Sequence, residues 1–96
     1  MTNAYEETKR LAKFDTAIEI LAAKIGISVN RIVAEESKPA EVQDKKLIER
    51  LHRELEIFNA ERDRMYKGDK EIQDKIYNNY APEVMEYFKG KKNNAR

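Results

Sequence analysis

The chain has 96 residues, of which 39% are charged and 8% aromatic, and its 19 Lys+Arg against 18 Asp+Glu give a formal net charge of +1. That is enough for one domain with one modest core, and the charge balance argues against a dedicated nucleic-acid binder. With no cysteine, disulfides, thiolate metal sites and a cysteine nucleophile are excluded.

Three Gly and two Pro in so charged a chain suit solvated helices around a thin apolar seam, not a sheet. No stretch approaches the roughly 18 consecutive apolar residues of a membrane span. The start "MTNAYEETKR" has no hydrophobic signal region. The expectation is a soluble cytoplasmic protein.

Leu11, Phe14, Ile18, Leu21 and Ile25 recur in steps of three and four, the spacing of a heptad seam on a helix. This predicts a first helix over about 4–37. Beyond Ile25 the seam can run on through Val29 and Ile32 or Val33, although the strict heptad position is Ser28. A second line, Ile20, Ile27 and Ala34, lies on a neighbouring face, so the apolar surface is broad enough for two partners. The helix ends near Ser37, because Lys38 precedes a proline. Pro39 suits the first position of a second helix, with Glu41 near its positive end.

That second helix is predicted over about 41–67. Its seam is Ile48, Leu51, Leu55, Phe58, Arg62 and Met65, widened by Leu47. Glu41/Lys45, Glu49/Arg53 and Asp63/Lys67 stand at i, i+4 with the acid first, the favourable order. Gly68 is a natural left-handed terminator and Asp69 a natural cap for a further helix. A third segment over about 69–89 carries Ile72, Ile76, Tyr77 and Tyr80 on one face, then Val84, Met85, Tyr87 and Phe88. Pro82 is expected to kink or restart it. Residues 90–96 read as a flexible tail. The fold class is therefore all-α, a long antiparallel helical hairpin with a third, Pro-interrupted helical segment, in a single domain over 1–96. The core is expected to place Phe14, Ile18, Leu21 and Ile25 against Leu51, Leu55 and Phe58.

"LAAKIGISVNRIVAEE", Leu21 to Glu36, admits a second reading. The spacing of Ala22, Gly26, Ile27 and Ile32 resembles a DNA-binding helix-turn-helix. "GISVNR" resembles the link between the two helices of ribbon-helix-helix regulators, where Ser caps the second helix. That resemblance would make residues 17–36 a transcriptional regulator's DNA-binding element, with Ser28, Asn30 and Arg31 as its contacts. Against it stands the helical period of "YEETKRLAKF" where a ribbon-helix-helix needs a strand. Glu35 and Glu36 would also approach the phosphates, and the seam keeps register on both sides of Gly26. One continuous helix is the favoured reading. A mid-helix glycine costs about 1 kcal/mol against alanine, which a packed seam can absorb.

Few residues suggest chemistry. His52 is the only histidine and sits beside the second seam, without the convergent ligands that a metal would need. No glycine-rich phosphate loop or Ser/His/Asp order occurs, and with one histidine in the chain the two Glu-x-x-His copies of a di-metal site cannot be assembled, Glu49–His52 being a single one. No catalytic, cofactor or metal residue is assigned, and no cofactor is expected. Arg62 stands where a seam leucine is expected, either packing its stem or selecting a partner. Tyr66, Tyr77, Tyr80 and Tyr87, with Phe88, are numerous for so charged a chain, and tyrosine is enriched at interaction hot spots. Lys89, Lys91, Lys92 and Arg96 make the tail basic. The expected function is a small non-enzymatic protein that binds another protein, as an adaptor, an antitoxin-like inhibitor or a phage- or plasmid-type accessory factor, alone or as a homodimer. Arg62, Tyr66, Tyr77, Tyr80, Tyr87 and Phe88 are the candidate contacts. Nucleic acid ranks behind protein as a partner, and a membrane is not expected.

Overall fold

A computed structural model of the chain describes residues 4–94. It contains helices α1 (Ala4–Glu36), α2 (Lys45–Tyr66), α3 (Lys70–Lys75) and α4 (Ala81–Asn94). A π-helical turn, Ile76–Tyr80, joins α3 to α4 with helical dihedrals on both sides. Residues 70–94 thus form one third helix, and among the described residues there is no strand.

Contacts at the two ends of the hairpin fix its direction. The Phe14 ring meets Tyr66 edge-on at 6.0 Å, while the Glu35 carboxylate accepts from the Asp44 amide at 2.9 Å. Hence α1 and α2 are antiparallel. The third helix returns alongside α1 in its own direction: Lys13 pairs with Asp74 and Lys24 with Glu83, and Arg31 lies over the Tyr87 ring. The result is an up-down-up arrangement.

Gly26 lies inside α1, and Gly68 is the only described residue with positive φ. The turn required by a helix-turn-helix is therefore not formed. A β-carbon at Gly26 would meet nothing within 4 Å. Gly26→Ala is accordingly expected to stabilise the fold by up to about 1 kcal/mol, read from the urea midpoint.

The junction between α1 and α2 departs from expectation. Pro39 (φ −53°, ψ 145°) keeps the chain extended and opens a single 3₁₀ turn, Ala40–Val42. The second helix starts later than 41, at Lys45, because Asp44 is the stronger cap: its carboxylate accepts from the Leu47 amide at 3.0 Å. Glu41 therefore lies outside the helix, and its expected pairing with Lys45 on one helical face does not arise. Gln43 spends its amide on the Glu36 and Lys38 carbonyls at 3.2 and 2.8 Å, satisfying the end of α1.

Buried Glu35 staples this corner, accepting from the Lys38 ammonium at 3.0 Å as well as from Asp44. The Asp44 amide first, then Lys38, holds its carboxyl below the usual 4.5. A depressed folded value means that the stabilisation is present above pH 4.5 and lost as the pH falls through the folded value. The urea midpoint of the wild type should fall on acidification below pH 4.5, and Glu35→Gln should start lower and lose less. A variant that tracks the wild-type acid limb would remove Glu35 from this role.

At the other end, Gly68 (φ 88°) closes α2 as predicted. Its amide donates to the Met65 carbonyl at 3.0 Å, and that of Asp69 to the Arg64 carbonyl at 3.1 Å, a Schellman arrangement. Asp69 then caps α3, accepting from the Ile72 amide at 3.2 Å, while the Arg64 guanidinium grips its other oxygen at 2.9 and 2.6 Å.

The core is Ala17, Leu21, Phe58, Met65, Ile72 and Ile76, with Phe14, Ile18, Ile20, Ile25 and Tyr80 packed against it at partial burial. This corrects the predicted seam in two places. On α1 the strict heptad holds: Ser28 and Ile32 are buried, whereas Val29 and Val33 are exposed. On α2 the interior position belongs to Glu61, and Arg62 is exposed, donating to Asn59 at 2.9 Å. Leu51 and Phe58 are buried as expected, but Leu55 is only half-buried. The third helix meets the second line of α1, where Ile27 is buried and Ile20 half-buried.

The third helix is interrupted beside Pro82 as expected, in the form of the π turn that ends at Tyr80. A helix-interior proline removes one backbone bond and crowds the carbonyl four residues back, here that of Asn78. Asn78 lies inside the π turn, whose wider winding absorbs the conflict. The predicted tail is helical as far as Asn94, and Ala95 and Arg96 lie outside the described residues.

Candidate interaction surface

The third helix carries most of the candidate residues, and its attachment to the hairpin decides which of them face outwards. Its centre is the π turn. There the Glu61 carboxylate of α2, 4% exposed, accepts from the Lys75 ammonium at 2.6 Å and from the Tyr80 hydroxyl at 2.7 Å. The Tyr80 ring stands edge-on to Phe58 at 5.5 Å. Lys24 reaches across from α1, its ammonium 5.3 Å from the Tyr80 ring and 5.5 Å from that of Phe58, and pairs with Glu83. One buried acid is thus bracketed by cations and aromatic rings from all three helices.

This environment shifts the titration of its members. The hydrogen bond to Glu61 raises the Lys75 ammonium above its ordinary 10.5. Burial first, and then the bond to Glu61, raises the Tyr80 phenol above 10.0. Among the described residues, no buried side-chain nitrogen or oxygen lacks a hydrogen-bond partner. The cluster therefore presents no idle acid or base, and what it does chemically is fix the third helix against the hairpin.

The tyrosines divide accordingly. Tyr80 is half-buried and bonded inward. Tyr77 lies beneath the Lys13 ammonium at 5.7 Å, and Tyr87 beneath the Arg31 guanidinium at 5.9 Å. With Tyr80 under Lys24 they form a ladder of cation–π contacts along the α1 boundary. Each rung is worth about 0.5–1 kcal/mol where exposed. Tyr66 lies apart, on α2, exposed beyond Phe14. Arg62, also on α2, is turned to solvent. The six candidate residues therefore do not converge on one patch.

What the third helix does present outwards is Met85, 71% exposed, and Phe88, 51% exposed. Buried Val84 underlies them, Tyr87 stands edge-on to Phe88 at 5.4 Å, and Glu86 and Lys89 border them. Met85 is absent from the sequence-based candidates because the segment is singled out for its aromatic residues, Tyr87 and Phe88. The periodicity cannot show that α4 leans on α1 and scarcely touches α2, leaving this side open.

The three residues assigned to DNA contact under the regulator reading are not presented together. Ser28 is buried, because α1 keeps its heptad through Gly26, while Asn30 is exposed and Arg31 is engaged with Tyr87. His52 is exposed on α2, and the described residues contain no group of three His, Cys, Asp or Glu able to hold a metal ion. No described helix is long and apolar enough to cross a membrane. No family model matches the chain, and no match is found among curated proteins or solved structures.

Proposed function

We propose that this is a small non-enzymatic protein that works by binding another protein, as an adaptor, an antitoxin-like inhibitor or a phage- or plasmid-type accessory factor, and that the outer side of α4 is its contact. The observation that carries this reading is the exposed pair Met85 and Phe88. They sit on a helix whose inner side is already occupied by the cation–π ladder and the Glu61 cluster. Methionine and phenylalanine are enriched in the dry centres of interfaces, and a methionine can reshape to a partner. Glu86 and Lys89 supply the polar border that such a centre needs.

Both residues are exposed, so Met85→Asp and Phe88→Asp should leave the fold intact, the first with stability within about 0.5 kcal/mol and the second losing about 0.5–1.5 kcal/mol with the Tyr87 ring contact. Each should lose the protein partner that the wild type retains in a pull-down from its native host. Retention by both variants would refute the assignment of this surface. A gel-shift titration over salt, with wild type and Arg31→Ala, tests the regulator reading on the same preparations. Weak binding to any duplex that fades as salt rises is expected. Tight binding to one defined sequence, lost in a folded Arg31→Ala variant, would overturn the proposal.

A further inference from the structure

The outward face of α1 departs from the composition of the chain. From Ala22 to Ala34 its exposed residues are Ala22, Gly26, Val29, Asn30, Val33 and Ala34, besides Arg31, which lies over the Tyr87 ring. None of those six is charged, in a protein that is 39% charged. Towards the N-terminus the same stripe continues through Ala22, half-buried Ile18, Asp15 and Leu11. Its larger apolar members are openly placed: Leu11 is 54%, Val29 42% and Val33 57% exposed. Apart from Ile18, which also packs against the core, the members of this stripe are exposed.

We propose that this face docks a second copy of the same chain, α1 against α1 in antiparallel order, with the twofold axis passing at Ala22. The stripe is self-complementary about that residue. Positions four residues to either side bring Ile18 of one copy opposite Gly26 of the other, where no atom lies within 4 Å of a β-carbon site. Positions seven away bring Asp15 opposite Val29, beside the Asn30 amide, a donor for that carboxylate. Positions eleven away bring Leu11 opposite Val33. These offsets match the seam spacing of packed helices, and small residues at the crossing permit close approach.

Charge selects the direction. In a parallel pair Asp15 would face Asp15 and Glu19 would face Glu19, and Gly26 against Gly26 would leave a void. The antiparallel pair sets both acids against the uncharged half of the partner helix. The stripe from Leu11 to Val33 is about 33 Å long at 1.5 Å per residue. One helix pair of that length falls at the small end of specific interfaces, below about 1,200 Å² in total. The dimer is therefore weak and concentration-dependent, and it leaves the outer side of α4 free.

The absence of native cysteine makes the test direct, since any disulfide in a single-cysteine variant joins two copies. Under mild oxidation Ala22→Cys should link to itself. Leu11→Cys and Val33→Cys should each stay unlinked alone but link to one another when mixed. Val33→Cys linking to itself as readily as Ala22→Cys would overturn the geometry. Sedimentation equilibrium of the wild type should show a dimer fraction that rises with concentration. Ala22→Glu and Gly26→Leu should abolish it with unchanged circular dichroism, the first by charge and the second by filling the space that Ile18 needs. A wild type that stays monomeric at every concentration refutes the dimer and leaves this face to a different protein.

Discussion

Leu21→Ala is expected to cost about 2–5 kcal/mol of folding stability, the range for a leucine truncated in a rigid core. Leu21 has no exposed surface and belongs to the hydrophobic cluster at the centre of the three helices, with Phe58 and Met65 from α2 and Ile72 and Ile76 from the third helix region. Neighbours fixed on three sides cannot collapse into the space left behind, so the cavity adds to the lost transfer energy. A chain of this size carries about 5–14 kcal/mol in all. The loss of one leucine side chain is therefore a large share, and the melting temperature should fall by roughly 10 °C or more. Ile57→Ala is the matched control. Ile57 is equally apolar but about half exposed on α2, and its truncation should stay within about 0.5 kcal/mol. Similar losses at Leu21 and Ile57 would mean that the hairpin is packed through a different face.

The contrast between those two residues marks what is legible in the sequence. The 3–4 spacing locates α1, α2 and the third helix, and the loop residues locate the corners. Gly68 and Asp69 behave as their chemistry dictates, and Gly26 is carried by the seam around it. Rotation about each helix is less legible. Ser28 and Glu61 occupy interior positions that the expected seams place at Val29 and Arg62, and Glu35 is a third buried polar residue. Polar groups are tolerated there only with partners, and those of the two glutamates come from distant or irregular segments: Glu35 uses the Asp44 amide, and Glu61 uses Lys75 and Tyr80. A one-dimensional pattern has no access to such pairings. Pro39 is likewise a valid helix-start signal that loses to Asp44, because Asp44 brings a side-chain acceptor to the amide three residues on and Pro39 has none.

The tyrosine-rich segment illustrates the same limit from the functional side. Tyrosine enrichment points equally to an interface and to internal cation–π packing, and each tyrosine of the third helix takes a cation from α1. The open surface falls instead to Met85 and Phe88, whose exposure depends on how α4 leans. The π turn has no sequence signal apart from Pro82, which supplies a reason for a defect without specifying its form. Tyr80, the last residue of that turn, is the one that donates to Glu61.

Removal of Glu61 should produce the second large effect. Its carboxylate is buried and accepts from both Lys75 and Tyr80. Glu61→Ala leaves a half-buried hydroxyl and an ammonium without their acceptor, and opens a void between α2 and the π turn. The Lys75 side chain is 43% exposed, so water re-solvates it in part, and the full penalty of a stranded buried charge does not apply. The expected loss is about 1–3 kcal/mol, in the range for a buried group left unsatisfied. Glu61→Gln keeps the shape and an acceptor oxygen but loses the charge, and should fall between the wild type and Glu61→Ala. Raising the pH supplies an independent check. Lys75 and Tyr80 both have folded values above their ordinary 10.5 and 10.0. Their contribution is therefore fully present below about pH 10 and lost as the pH rises through the folded values. The wild type should lose stability along that alkaline limb, and Glu61→Gln should lose less, because the acid that raises both groups is gone. Glu61→Ala combined with Tyr80→Phe should cost less than the sum of the single changes, since the two share one bond. Additive losses, or an alkaline limb that Glu61→Gln leaves unchanged, would detach Glu61 from the third helix and require another anchor for the surface that carries Met85 and Phe88.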